Sequence, residues 1–218
     1  MRLPFEDRAE AGRLLGQALK SYVRRPDVMV LGLPRGGVPV AFEVASVLEV
    51  PLDLMLVKKL GTPGREELAM GAIATGGVSV LNTDVVAAHW ISDETIEAVA
   101  VRERLELERR ERLYRNDRSV PEVKGRCVIV VDDGLATGAT MRAGVAALRQ
   151  RRPARIVAAV PVAPAVAVEP LREEADEVIC LATPEPFFHV GHWYRDFAEI
   201  SDAEVSGLLA RAWNDAVA

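Results

Sequence analysis

The strongest constraint on this chain is an alternation. VMVLGL (28–33), PLDLMLVKKL (51–60), GRCVIVVDD (125–133), ARIVAAVPVA (154–163) and DEVICLA (176–182) are short, almost unbroken apolar runs. Segments of helical period separate most of them. Ala11, Leu14, Leu15, Ala18, Leu19 and Tyr22 mark one helical face within 7–23, and VPVAFEVASVLE (38–49) predicts a second helix. Met141, Val145 and Leu148 follow Gly138 at i, i+4 and i+7, a further helix is expected near 164–174, and Val205, Leu208, Leu209 and Trp213 close the chain. A strand that reads as a continuous apolar run is buried on both faces. The pattern therefore predicts an α/β fold, a mostly parallel twisted sheet flanked by helices. Ligands of such sheets bind at the carboxyl ends of the strands.

Four segments depart from the alternation. GTPGREE (61–67) lacks hydrophobic period and is expected to be a mobile loop. LAMGAIATGGVSVLN (68–82) suggests a hairpin about its TGG turn. Residues 92–119 predict a long, mostly solvated helix lying across the site, with Ser92 as N-cap and dense mixed charge. PEPFFHVGHWYRDF (184–197) is aromatic-rich and irregular.

The chain has 218 residues and a formal net charge of −5. The length suits a single α/β domain over 1–218. The charge argues against sequence-independent nucleic-acid binding, which needs an excess of Lys and Arg. The N-terminal MRLPFEDRAEAG has no apolar signal core, and no run approaches the roughly 18 apolar residues of a membrane span. The expectation is a cytoplasmic protein without a membrane partner, with Cys127 and Cys180 as reduced thiols. Exposed aromatic and charged-helix surfaces leave room for a homodimer.

Three strand ends carry chemistry. VIVVDDGLATGAT (128–140) runs from a buried strand into two adjacent carboxylates, a placement that costs stability unless cations or hydroxyls meet them. In the loop that follows, Ala136, Thr137, Gly138, Ala139 and Thr140 precede a helix, whose N-terminal amides and dipole favour an anion. The spacing is neither that of a P-loop nor GxGxxG. A phosphate monoester in the loop, with the vicinal hydroxyls of its sugar on Asp132 and Asp133, satisfies both halves. Pro34-Arg35-Gly36-Gly37 offers a fixed cation and open backbone donors to a diphosphate. Lys58 and Lys59 end the second strand, where an anionic ligand relieves their repulsion. His189, His192 and Cys180 lack the spacing of a zinc site.

DDGLATGATM (132–141) resembles the phosphoribosyl diphosphate (PRPP) motif of the type I phosphoribosyltransferases, and is similar to the DDLLATGGTM-like run of the adenine-specific branch. The resemblance covers nearly the whole chain and is strongest to bacterial members of unassigned substrate. It implies a phosphoribosyltransferase fold, with 92–119 as an inserted helix and about 184–218 as a hood over the base. It implies transfer of phosphoribosyl from PRPP to a nitrogen base, purine-like above others, with release of pyrophosphate. Arg35, Gly36, Gly37, Lys58 and Lys59 would hold the pyrophosphate, and Ala136 to Thr140 the 5-phosphate. Mg²⁺ would bridge diphosphate and ribose oxygens, reached by Asp132 and Asp133 through the sugar or water. Asp132, Asp133, Arg35, Lys59 and Glu67 are the catalytic candidates. In the hood, Phe188, Trp193 and Tyr194 are candidates to stack on the base.

The specificity signals disagree. Ala136 stands where 6-oxopurine members carry a general-base Asp, and adenine-type members share a small residue there. The aromatic tail, in contrast, resembles the oxopurine hood. A second function class stays open: a binding protein that senses PRPP without transferring it. A hydrolase reading has no nucleophile elbow or triad to support it.

Overall fold

Val28–Gly32 (β1), Cys127–Val131 (β6) and most of Arg155–Val162 (β7) are buried residue for residue. The computed structural model describes residues 3–116 and 118–215, except the side chains of Glu66, Glu67 and Asp215. In chain order the remaining elements are α1 (Arg8–Ala18), α2 (Gly37–Leu48), β2 (Leu52–Leu54), β3 (Val57–Thr62), β4 (Arg65–Ala74), β5 (Val78–Leu81), α3 (Thr83–Ala88), α4 (Asp93–Arg115), α5 (Ala139–Gln150), α6 (Ala165–Glu174), β8 (Glu177–Ala182) and α7 (Asp202–Asp215).

Five strands form one sheet in the order β2-β1-β6-β7-β8, and every pairing is parallel. Val30, Ile129 and Val157 lie in register across its centre. Successive side chains on a strand face opposite ways, so each strand feeds two layers. Val30, Ile129 and Val157 join Val40, Val44 and Leu48 of α2 on one face. Met29, Leu31, Val128 and Val130 join Met141, Val145 and Leu148 of α5 and Leu171 of α6 on the other. Truncating one such residue, Ile129→Ala for example, costs about 2–5 kcal/mol.

The run 51–60 is not one strand. β2 ends at Leu54, and β3 starts a second, three-stranded antiparallel sheet of order β3-β4-β5. At the crossover the Met55 amide still donates to Gly32 O at 3.0 Å, while the Leu56 amide donates to Thr75 Oγ1 at 2.8 Å. Each side of the break thus finds its partner in a different sheet, which composition cannot reveal. The segment 61–67 is likewise not a loop. β3 and β4 pair through Thr62 and Arg65, and only Pro63-Gly64 turn between them. The predicted hairpin over 68–82 is present as β4 and β5. The short helix α3 has no counterpart in the sequence reading.

Helix α4 stops at Arg115. Its Ser92 cap accepts from the Thr95 amide at 3.3 Å, with Asp93 and Glu94 in the first turn and Arg112 and Arg115 in the last. Both ends suit the helix dipole. Solvation covers only part of it, for Ile96, Ala100, Leu107 and Tyr114 are buried against the core. Its C-terminal end is stapled to the edge of the main sheet. Arg115 forms a buried ion pair with Asp53 and donates to Leu54 O at 2.6 Å. Trp213 of α7 donates to Leu52 O at 3.0 Å and lies under Arg118. Burial pushes the Asp53 carboxyl up, and Arg115 opposes that shift. Among the described residues no helix is long and apolar enough to cross a membrane.

Candidate active site

The carboxyl ends of β1 and β6 lie side by side, and glycine decides how closely their loops meet. A Cβ on Gly36 would stand 2.1 Å from Asp133 Oδ2, and one on Gly37 would stand 2.7 Å from Val131 O. Only two residues without side chains let the 34–37 turn rest directly on the diaspartate. The turn is fixed by Leu33 N–H to Val131 O at 2.9 Å and Gly37 N–H to Leu33 O at 3.0 Å, and its Pro34–Arg35 peptide is cis. Arg35 reaches outward and donates to Glu199 at 2.5 Å. Both side chains are largely exposed. Such a pair contributes about 0–1 kcal/mol, so a polyanion can displace Glu199.

Beyond the acids the chain runs over a recess of about 120 Å³, lined by Asp132 and residues 134–141. Gly138, at φ 75°, takes the left-handed conformation that turns the loop into α5. Thr137, Ala139 and Thr140 are exposed at the mouth. The first amides of α5 point there without intrahelical acceptors, and the helix dipole adds partial positive charge.

Two carboxylates side by side need compensation, and the structure supplies a cation from the far end of the chain. Arg8 Nε donates to Asp133 Oδ2 at 2.9 Å. Arg8 is itself buried, donates to Ala198 O at 2.9 Å, and lies 3.8 Å above the Phe197 ring. The Asp133 amide donates to Asp132 Oδ1 at 2.9 Å. Burial raises the Asp132 carboxyl well above the ordinary range, and the neighbouring Asp133 charge raises it further. Burial also raises Asp133, with Arg8 pulling the other way. Burial therefore favours the protonated form of both acids, while Arg8 favours the ionised form of Asp133. The pair stands ready to accept hydrogen bonds from hydroxyls.

The two lysines do not act together. On β3 they face opposite sides. Lys58 lines a small pocket with Leu33, Pro34 and Thr140, whereas Lys59 is exposed on the other face. The expected relief of a lysine pair by one anion therefore fails on strand geometry. The same pocket is lined by Leu107 and Arg110 of α4. Glu103, one turn before Leu107, pairs with Lys58 at 3.8 Å. The inserted helix thus lines this pocket beside Lys58, and its Arg110 is paired with Glu106 at 2.9 Å. The sequence reading missed Arg110, Arg8 and Glu199. Arg110 left a trace, for Glu103 and Arg110 interrupt the apolar stripe Ile96, Ala100, Leu107, Tyr114. Arg8 left none.

In the hood, Phe188 is 69% exposed and meets the edge of His192. Trp193 is half-buried between Phe187 and His192. Tyr194 is a correction. It is 5% exposed, packs on Phe5 and Phe197, and donates its hydroxyl to Asp133 O at 2.5 Å. No ring face is left for a base. Its role is to hold the acidic turn, and burial with the nearby Asp133 charge pushes its phenol up. Val190 packs on Gly134 and seats the hood over the loop. The N-terminal segment ties both together: Phe5 N–H donates to Trp193 O and Arg195 N–H to Phe5 O, each at 2.8 Å. The side chain of Glu67 lies outside the described residues.

A family model described as the phosphoribosyl transferase domain matches residues 6–194. The chain belongs to this family. Two Mycobacterium tuberculosis proteins, from two strains and both named as inferred phosphoribosyl transferases, are 47% identical over 211 residues. The match takes 97% of this chain and 47% of theirs, so the chain spans about half the length of these curated relatives. The crystal structure of TT1426 from Thermus thermophilus is 44% identical and superposes with a TM-score of 0.87, covering 97% of this chain and 99% of that one. The fold is that of the type I phosphoribosyltransferases. In that frame the 34–37 turn, the diaspartate and the α5 loop form one candidate site at the carboxyl ends of β1 and β6. The long α4 borders it beside the β3–β4–β5 sheet.

Proposed function

We propose that the protein transfers the 5-phosphoribosyl group of PRPP to a nitrogen base, purine-like above others, and releases pyrophosphate. One observation carries this reading: the Gly36-Gly37 turn rests on Asp133, so cation, diol acceptors and phosphate loop share one mouth. The 5-phosphate fits the α5 loop, on backbone amides and the hydroxyls of Thr137 and Thr140. The ribose hydroxyls fit Asp132 and Asp133. The diphosphate fits Arg35, which exchanges Glu199 for it, with Lys58 and Arg110 beside it.

In the reaction the base nitrogen donates its lone pair to C1 of the ribose. The C1–O bond breaks, its electrons leave with the diphosphate, and the nitrogen's proton passes to the departing diphosphate or to water. Charge grows on the leaving group as the ribose takes oxocarbenium character. Fixed cations that meet this charge lower the barrier. Among the described residues no three His, Cys, Asp or Glu side chains stand together as a metal site. A Mg²⁺ ion fits only if it arrives with the diphosphate, held near Asp132 and Asp133 through the sugar or water. There it would neutralise the leaving group. Phe188 offers the base a free ring face.

Ala136 favours a second reading. Its methyl occupies the place from which a loop side chain would deprotonate an oxopurine, and a PRPP-sensing protein needs no such group. A pyrophosphate-release assay separates the two. With Mg²⁺, PRPP and adenine, hypoxanthine, guanine, xanthine, uracil, orotate or nicotinate, the enzyme reading expects turnover with at least one purine. Silence with every base, alongside PRPP binding, selects the sensor.

A further inference from the structure

The transfer needs a proton acceptor that the phosphate loop does not carry. A ring nitrogen that bears hydrogen has its lone pair free for C1 only as the proton leaves. A positioned base speeds such a step by about 10²–10⁴-fold. The groups at the end of β6 are engaged elsewhere. Ala136 ends in a methyl, and Asp132 and Asp133 are assigned to the ribose hydroxyls. The Tyr194 hydroxyl donates to Asp133 O, and Glu199 is held by Arg35.

The hood brings an imidazole to this place. Its short 3₁₀ turn, Val190–Trp193, is anchored to the acidic turn on both sides. Val190 lies against Gly134, where a Cβ would stand 2.6 Å from Val190 Cγ1, and Tyr194 donates to Asp133 O at 2.5 Å. His192 stands between these anchors, with its amide on His189 O at 3.2 Å. It is exposed, and three crossed rings position it. Their centroids lie 5.1 Å away for Trp193, 5.5 Å for Phe188 and 6.0 Å for His189. Phe188 is the ring offered to the base, so the imidazole stands next to the base's place. The charges around the hood pair among themselves: Glu6 with Arg195 at 3.3 Å, Asp133 with Arg8, and Glu199 with Arg35. Asp196 accepts from the Ala198 amide at 3.0 Å. His189 is the titratable ring in contact with His192.

We propose that His192 is the general base of the transfer and takes the proton from the attacking nitrogen of an acceptor held on Phe188. The assignment rests on the transferase reading above. In the step, the nitrogen's electron pair forms the N–C1 bond, and the C1–O pair leaves with the diphosphate. The N–H proton moves to the unprotonated ring nitrogen of His192, which passes it to water. The class of acceptor follows: a heteroaromatic ring whose attacking nitrogen bears a hydrogen, as in a purine. A pyridine nitrogen, as in nicotinate, attacks with a bare lone pair and has no use for the imidazole.

The test is the pH profile of base-dependent pyrophosphate release by the wild type, His192→Gln and His189→Gln. The wild type should lose rate toward acid pH, where an imidazole takes up a proton and can no longer accept one. His192→Gln should lower kcat by about 100-fold or more and flatten that acid limb. Its PRPP affinity in calorimetry should match the wild type. His189→Gln should keep both rate and limb. Added imidazole should restore part of the rate of His192→Ala, which a merely structural side chain would not allow. A His192→Gln protein with the wild-type rate and limb overturns the assignment alone. So does an acid limb that disappears with His189, or a His192→Ala protein that imidazole does not rescue. A wild type silent with every base overturns the transferase reading and this assignment together.

Discussion

Arg8 Nε and Asp133 Oδ2 meet at 2.9 Å, across 125 residues of chain. The contact joins the first turn of α1 to the acidic end of β6 and answers the charge problem of the diaspartate. Arg8→Met removes the cation and leaves a buried carboxylate uncompensated. Urea unfolding should record a loss of about 3–5 kcal/mol, since removing one partner of a buried pair strands the other. A loss below about 1 kcal/mol would show that water or another group already serves Asp133.

Asp132 predicts a pH dependence of the opposite kind. Burial and the Asp133 charge raise its folded pKa above the unfolded value of about 3.9. The folded state therefore prefers the protonated form. Its contribution to stability is complete below about pH 4 and is lost as pH rises through the folded pKa. Asp132→Asn keeps the acceptor for the Asp133 amide and cannot ionise. The variant should match the wild type near pH 3. It should be more stable at pH 7.5, by about 1.4 kcal/mol for each unit of the shift. Equal stability at both pH values would refute the raised pKa. The same variant should bind PRPP more weakly, a site residue kept at a cost to the fold.

Gly36→Ala places a methyl into Asp133. The turn must lift, carrying Arg35 with it. Thermal unfolding should show a loss of about 1–3 kcal/mol from overpacking. PRPP affinity should fall at least tenfold, about 1.4 kcal/mol. Unchanged affinity would mean that Arg35 does not need the turn where it is.

Strand geometry separates the two lysines. Lys58→Ala should weaken pyrophosphate and PRPP while sparing ribose-5-phosphate, and Lys59→Ala should change none of the three. Competition binding with these ligands reads the difference directly. Equal effects from both substitutions would contradict the opposite facing of their side chains.

The hood yields a similar contrast. Phe188→Ala should raise the KM of the base, for lost stacking is worth on the order of 1–3 kcal/mol. Tyr194→Phe should leave base selectivity alone and cost about 1 kcal/mol of stability, the value of one hydrogen bond. A change of base preference in Tyr194→Phe would return that residue to the base pocket.

The parts of the fold that were legible in sequence are those whose signals are local. β1, β6 and β7 announce themselves as apolar runs, and Asp132 to Thr140 carry strand end, acids, loop and helix start within one stretch. The run 51–60 reads as a single strand because LDLMLVKKL stays apolar through the Met55–Leu56 break. The partners that split it, Gly32 and Thr75, lie in other segments. The 61–67 segment misled because Thr62 and Arg65 pair across a turn of only two residues, too short for alternation to show. Tyr194 was misplaced because aromatic composition does not say which rings face inward. Arg8 reads as one more solvated helix residue until Asp133 is folded against it.

The most direct test of the account is calorimetric titration of PRPP into the wild-type chain with Mg²⁺ present, repeated on Asp132→Asn/Asp133→Asn. The account predicts one site per chain of about micromolar affinity, near −8 kcal/mol. The double variant should lose it by at least tenfold, having given up both carboxylate acceptors. No binding by the wild type, or equal binding by the double variant, would contradict the assignment of the diaspartate to the ribose.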